Sequence, residues 1–226
     1  RLRWKDGLRQ APELQLEQVD LALQNSGTKH RFALKATPPA SIAAPLDIRA
    51  RFEHSRFGGR KSDPMLWTGE IYADLRDTDL ATWKTYLDFP VDLRTATGSL
   101  RAWLAFDHAR VANLTADLAL SNVVVKLRKD QEPLDLVSAN GRVSIQETID
   151  SEVRNGNPTF GLNGHAVAVT DLTVQTRDGL LLPKTTMSER YVAATGSTPE
   201  RTEVQVQMLD LQALAQLAER LPLPTA

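Results

Sequence analysis

Four histidines, His30, His54, His108 and His165, are the only imidazoles in the chain. None stands in an H-x-x-x-H or H-x-E spacing, so a metal centre could form only if the fold gathered distant segments around it. Surface or strand-edge positions are the plainer expectation. Asp74, Asp77 and Asp79 are close enough for paired-carboxylate acid–base work. Their setting assigns them simpler roles: an outward strand residue, a turn residue and a helix cap. Phe57-Gly58-Gly59-Arg60-Lys61 combines glycines and cations but lacks the following helix that a phosphate cradle needs. Ser99 and Ser144 lie in strand-like runs, away from any sharp strand-to-helix elbow. Asn113-Leu114-Thr115 is formally a glycosylation sequon, meaningful only in an extracellular eukaryotic setting. Nothing here argues for an enzyme, and no metal or cofactor site is expected.

The elements that carry these residues are mostly strands. In Trp67–Arg76, Trp67, Gly69, Ile71, Ala73 and Leu75 face one way, and Thr68, Glu70, Tyr72, Asp74 and Arg76 the other, the period of a half-buried strand. The period then changes, and Leu80, Trp83 and Leu87 recur at helical spacing. Thr78 or Asp79 is placed to cap that helix, and Pro90 to stop it. The chain repeats this at its far end. Val204, Val206 and Met208 alternate, Asp210 precedes Leu211, Leu214, Leu217/Ala218 and Leu221, and Pro222 and Pro224 follow. Two short amphipathic helices are expected, at 79–88 and 210–221. They divide the chain into meander units 1–90 and 91–226 of one continuous sheet.

Three runs contain the same irregularity. Leu14 and Leu16 alternate and then Val19, Leu21 and Leu23 continue one residue out of phase. Leu118 and Leu120 are followed by Val123, Val125 and Leu127, and Val167 and Val169 by Leu172 and Val174. A strand that keeps one face inward through an odd step needs an extra residue, a β-bulge or tight corner. Further alternating runs are His30–Ala36, Leu46–Phe52 and Gly98–Phe106, with weaker ones at Val143–Ile145 and Phe160–Leu162. Turn chemistry punctuates them at Asn25-Ser26-Gly27, Pro38-Pro39, Phe57-Gly58-Gly59, Asn140-Gly141, Asn155-Gly156-Asn157-Pro158 and Asp178-Gly179. Strands do not alternate with long helices, which argues against a parallel sheet.

The 226 residues allow one large β domain or two small ones, with chain enough to bury a core. With Lys+Arg 27 against Asp+Glu 28 and no run of like charge, the chain lacks the footprint of a nucleic-acid binder. Without cysteine there is neither a disulfide framework nor a thiolate metal site. No window reaches the length of a membrane span. The start at Arg1, without an initiator methionine or a signal region, reads as a piece of something longer. One-sided strands can pack on a second sheet, pack on helices, or stay open to hold something greasy. Two short helices cannot cover so many strands. Periodicity does not choose between sandwich and groove, and packing frequencies alone favour the sandwich.

Several stretches nevertheless form an ordered series. Trp4-Lys5-Asp6, Ala11-Pro12-Glu13-Leu14, His30-Arg31-Phe32, Pro45-Leu46-Asp47-Ile48-Arg49, Trp67–Ala73, Asp79-Leu80-Ala81-Thr82-Trp83, Gly98–Leu104, Arg177-Asp178-Gly179 and the closing Asp210-Leu211 with Leu221–Pro224 occur in this order. Together they resemble a periplasmic segment of the YhdP-like proteins of the AsmA-like superfamily. The resemblance covers nearly the whole chain, least well over Gln146–Asn157, and its specificity lies in the order.

The resemblance implies an elongated, curved antiparallel meander sheet of the repeating β-groove type, as in bridge-type lipid transfer proteins. It implies a non-enzymatic periplasmic portion of a protein held in the inner membrane by an N-terminal anchor missing here. Such a protein carries phospholipid toward the outer membrane and maintains its permeability barrier. The implied partners are phospholipid acyl chains and the rest of the same chain on both sides, with no nucleic acid. The groove would be lined by Phe32, Leu34, Ile48, Phe52, Ile71, Leu75, Leu100, Leu104, Phe106, Leu118, Leu120, Val123 and Val125. A structural or assembly module built as a closed β-sandwich is the competing expectation.

Overall fold

In the computed structural model, eleven strands form a single antiparallel sheet whose spatial order is the chain order. They are β1 (Leu2–Trp4), β2 (Leu14–Ser26), β3 (Lys29–Thr37), β4 (Leu46–His54), β5 (Trp67–Asp79), β6 (Asp92–Asp107), β7 (Arg110–Lys126), β8 (Leu134–Arg154), β9 (Asn157–Thr176), β10 (Leu181–Val192) and β11 (Arg201–Met208). Helix α1 (Leu80–Trp83) follows β5, and α2 (Leu211–Ala218) follows β11. The structure describes all residues except 8–9, 55–65, 87–91, 109, 127–131, 155–156 and 220–226, and only the backbone of 149–162 and 218. The Phe57–Lys61 loop, Leu87, Pro90, Leu127, Asn155-Gly156 and Leu221–Pro224 therefore lie outside the described residues, as do the side chains of Phe160 and Leu162.

The sheet is mainly β, open and curved, and no second sheet packs on it among the described residues. The sandwich favoured on packing frequencies is thereby overturned. β5 and β6 pair from Thr68↔Asp107 to Asp79↔Thr97, so the sheet runs unbroken between the two expected units.

The bends come from bulges. Gln18, Asn122 and Asp171 have φ of 48°, 51° and 54°, and each sits at the odd step of one of the three out-of-phase runs. A left-handed residue inserted in a strand turns the ladder while returning the next apolar side chain to the inner face. Asn and Asp tolerate that conformation better than most residues. A fourth bulge lies at Asp77, φ 44°, where the inward sequence runs Leu75, Thr78, Leu80; the turn expected there is a bulge within β5.

At three of the four bulges a hydroxyl on the neighbouring strand bonds a backbone group of the bulged residue. Asp77 N–H donates to Ser99 Oγ at 3.4 Å, and Asp171 N–H to Thr186 Oγ1 at 3.0 Å. Thr95 Oγ1 donates to the Asn122 carbonyl at 2.8 Å. At Gln18 the contact is side chain to side chain, with Thr37 Oγ1 donating to Oε1 at 3.1 Å. A backbone group that leaves the ladder needs another partner, and serine and threonine supply one at these exposed positions.

Asn140-Gly141 is not a turn. Gly141 lies within β8 at φ 137°, and a Cβ there would stand 2.6 Å from Leu172 Cα, next to the Asp171 bulge. The glycine makes room for the kinked neighbour. The weak runs at Val143–Ile145 and Phe160–Leu162 belong to β8 and β9, 21 and 20 residues long. The Gly27 and Asp178-Gly179 turns do join adjacent strands.

The helices are shorter than their sequence periods suggest: α1 has 4 residues and α2 has 8. Asp79 caps α1, accepting from the amides of Ala81 and Thr82, and Asp210 caps α2, accepting from Ala213 N–H at 2.9 Å. Replacing Asp210 by alanine removes that bond and should cost about 1 kcal/mol of stability, read as a lower midpoint in urea unfolding.

Both helices close the bulged end of the apolar face. Leu80 of α1 and Ala213 and Leu217 of α2 are buried with Ala96, Val123, Val125, Leu136, Ala139, Val174 and Leu182. Trp83 and Tyr86 pack with Leu14, Leu16, Ala36, Ile42 and Leu46. The 38–45 connection is tied to β5 at the same place, Asp79 N–H donating to the Ile42 carbonyl at 2.8 Å.

Candidate functional site: the apolar face of the sheet

Cross-strand register turns the alternation of single strands into rows running across the sheet. One reads Leu21, Leu34, Ile48, Ala73, Ala102, Ala116, Val143, Val169, Met187, Val206, from β2 to β11 without a polar member. Ten strands at the usual interstrand spacing give it a length of roughly 40 Å. The adjacent row reads Leu23, Phe32, Ala50, Ile71, Leu104, Leu114, Ile145, Val167, Glu189, Val204. Its one charge, Glu189, is met by His165 Nε2 at 3.3 Å. A third, shorter row joins Leu75, Leu100 and Leu118 and ends on Gly141.

Phe32, Leu34, Ile48, Phe52, Ile71, Leu75, Leu100, Leu104, Phe106, Leu118 and Leu120 thus share one face and are half-buried there. Val123 and Val125 are on it too, but beyond the Asn122 bulge, where α2 and the neighbouring strands reduce them to 5% and 8% exposure. They are core, already covered by protein. The rows stay uncovered out to the sheet edges: Leu23 in β2 is 68% exposed and Val204 in β11 is 56% exposed.

Away from the helices the face ends in an aromatic and imidazole rim. The His30 ring stacks on His54 (centroids 5.2 Å apart) and on Trp67 (5.4 Å). Phe52 stands 5.9 Å from both Trp67 and Phe106. Phe52 and Phe106 meet across Gly69, where a Cβ would lie 2.9 Å from Phe106 Cζ. Such rings present apolar bodies with polar tips. Sequence spacing gave no sign of the His30–His54 contact, which strand pairing creates.

The other candidate chemistry resolves into structural roles. Asp74 pairs with Arg76 at 2.9 Å and lies 3.9 Å from Arg101, Asp77 forms a bulge and Asp79 a cap. His108 contacts Asp107 at 2.6 Å. Among the described residues no group of three or more His, Asp or Glu side chains could hold a metal.

The opposite face is an ion-pair lattice. Asp47 and Asp74 are cross-strand neighbours of like charge, and each is clamped by an arginine two residues along its own strand. The hydrogen bond from Arg49 holds the Asp47 carboxyl below the usual range, and that from Arg142 does the same for Asp117, in both cases against partial desolvation. A depressed folded-state pKa stabilises fully above the unfolded value near 3.9 and is lost as pH falls through the lowered one. Thermal stability should therefore decline below about pH 4, by less than about 1 kcal/mol for each exposed pair. Asp117→Asn should flatten part of that decline in a pH series of melting curves.

An open, one-sided antiparallel meander with an exposed apolar face closed at one end by helices defines a β-groove protein. The chain belongs to the YhdP family: the family model described as YhdP protein matches residues 1–226. Comparison with curated proteins and with solved structures found no match. No helix among the described residues is long and apolar enough to cross a membrane.

Proposed function

We propose that this segment is a non-enzymatic stretch of a lipid conduit, holding phospholipid acyl chains along the apolar rows while headgroups stay in water. The observation that carries the reading is the unbroken row from Leu21 to Val206, left open to the surface. Each acyl CH₂ kept from water contributes roughly 0.8 kcal/mol, so a sixteen-carbon chain gains on the order of 12 kcal/mol from continuous apolar cover. A gap in that cover would be a barrier, and register removes the gaps. Headgroups need no ionic pocket, which agrees with a face whose only carboxylate in the two long rows is Glu189, in contact with His165.

Family membership associates the chain with lipid transport and with membrane-anchored periplasmic proteins. On this reading the segment stands in the periplasm, belongs to a protein anchored in the inner membrane, and carries phospholipid toward the outer membrane to maintain its barrier. Purified protein extracted with organic solvent should yield phospholipid in near-stoichiometric amount by mass spectrometry. Extracts no richer in phospholipid than those of a β-protein without an apolar face would count against it.

A further inference from the structure

The polar face is not flat. Strands β2 to β7 enclose on it an open trough of about 760 Å³. Ala22 and Ala33 are cross-strand partners on one side, and Ala105 lies on the other. Alanine is depleted in strands, and here short side chains leave the space that larger ones would fill. Arg31, Arg49 and Arg51 rise from β3 and β4, and Tyr72 and Trp103 pair from β5 and β6 with ring centroids 5.5 Å apart. Since these side chains alternate with the apolar rows, a lipid on the other face does not reach them.

The lining is cationic, with three arginines against Glu70. Arg51 pairs with Glu70 at 2.6 Å and Arg49 with Asp47 at 2.7 Å, which leaves Arg31 without an ion pair among the described residues. Arg49 stands 5.7 Å from the Tyr72 centroid, and Arg142 stands 5.8 Å from that of Trp103. A stacked guanidinium still directs its N–H donors in its own plane, toward carboxylates. Trp103 remains 38% exposed. Tyr, Trp and Arg around a depression are the composition of protein-interface hot spots. Six strands span about 24 Å, the length of about seven extended residues.

We propose that this trough docks an acidic polypeptide segment, its carboxylates on Arg31 and the neighbouring arginines and an apolar side chain against Trp103. Leu23, Phe32, Ala50, Ile71 and Leu104 of one lipid row also border the trough, but Arg31 and Trp103 alternate with that row and project from the opposite face, so either reading can fail without the other.

The test uses the full chain and a short fluorescein-labelled peptide alternating glutamate and leucine, with the lysine–leucine peptide as control. Saturable binding of the acidic peptide alone is expected, weaker at higher salt. Arg31→Glu and Trp103→Ala should each weaken it by about tenfold or more, Arg31→Gln by less, and Arg190→Glu, beyond the trough on β10, should leave it unchanged. Melting curves establish that the variants are folded. Absence of saturable binding, equal binding of both peptides, or affinity unmoved by the Arg31 and Trp103 substitutions overturns the proposal. Competition by inorganic phosphate or phosphatidylglycerol vesicles as effective as that of unlabelled peptide also overturns it, assigning the trough to a simple anion or a lipid headgroup.

Discussion

Gly98→Val is expected to remove a large part of the stability of the sheet. Gly98 stands at φ 132° opposite Thr78, just past the Asp77 bulge, and opposite Leu120, just before the Asn122 bulge. A Cβ built there lies 2.1 Å from the Ala119 carbonyl oxygen, so a backbone has to move. The dihedral strain alone costs about 1–3 kcal/mol. With displacement of a ladder added, a loss of about 3–5 kcal/mol is expected, a large part of what an ordinary domain possesses. Denaturant unfolding measures it directly. A variant within about 0.5 kcal/mol of the parent, the range of an ordinary surface substitution, would mean that the two bulges do not need this glycine.

The second large effect concerns the apolar rows. Leu104 lies in the half-exposed part of the face between Ile71 and Leu114, outside both buried clusters. Leu104→Asp places a carboxylate in the path of an acyl chain, which must then be desolvated against hydrocarbon or left as a break in the cover. Phospholipid recovered with the protein should fall about tenfold or more, since a loss of 1.4 kcal/mol already gives a factor of ten. The melting temperature should change little, because the position still reaches water. Ala102→Trp blocks the same path by volume without adding charge. It sits in the row where Ala73, Ala102 and Ala116 lie side by side and leave the floor low. Both variants should lose lipid. Loss with Leu104→Asp alone would indicate general damage from the charge rather than a blocked passage.

Much of this architecture could be read from spacing, because a strand with one buried face records every insertion as a phase shift. The odd steps after Leu16, Leu120 and Val169 marked the bulges at Gln18, Asn122 and Asp171. The same device at Asp77 leaves no phase shift among apolar residues, because the inward residue after it is Thr78. That residue is 1% exposed, but its hydroxyl donates to the Arg76 carbonyl, so it counts as polar in a pattern while serving as core. Gly141 looked like a turn because Asn-Gly is turn chemistry, and its true reason, the close approach of a kinked neighbour, lies in another strand. β10 carries Pro183 and turns Thr185 and Glu189 inward, which breaks the alternation by which strands are recognised. β1 is three residues long, too short to show a period.

The expected groove residues were legible as a shared face, since parity survives whatever the register. Where that face is covered and where it is open was not legible. Val123 and Val125 have the same spacing as Leu118 and Leu120, and what separates core from open surface is the tertiary cluster around them, with Leu80 of α1, Ala213 and Leu217 of α2 and residues of the neighbouring strands. The trough of arginines, alanines and aromatics on the other face left no trace in the pattern, because outward positions are read as solvated whatever occupies them.

The most direct measurement is a photo-crosslinking scan in cells, with a crosslinking amino acid placed in turn along β5, β6 and β7 on both faces. Adducts to phospholipid at Ile71, Ala73, Ala102, Leu104 and Leu114, and none at Tyr72, Trp103 or Thr115, are the predicted result. Equal labelling of the two faces, or labelling confined to the polar one, would contradict a lipid path along the apolar rows.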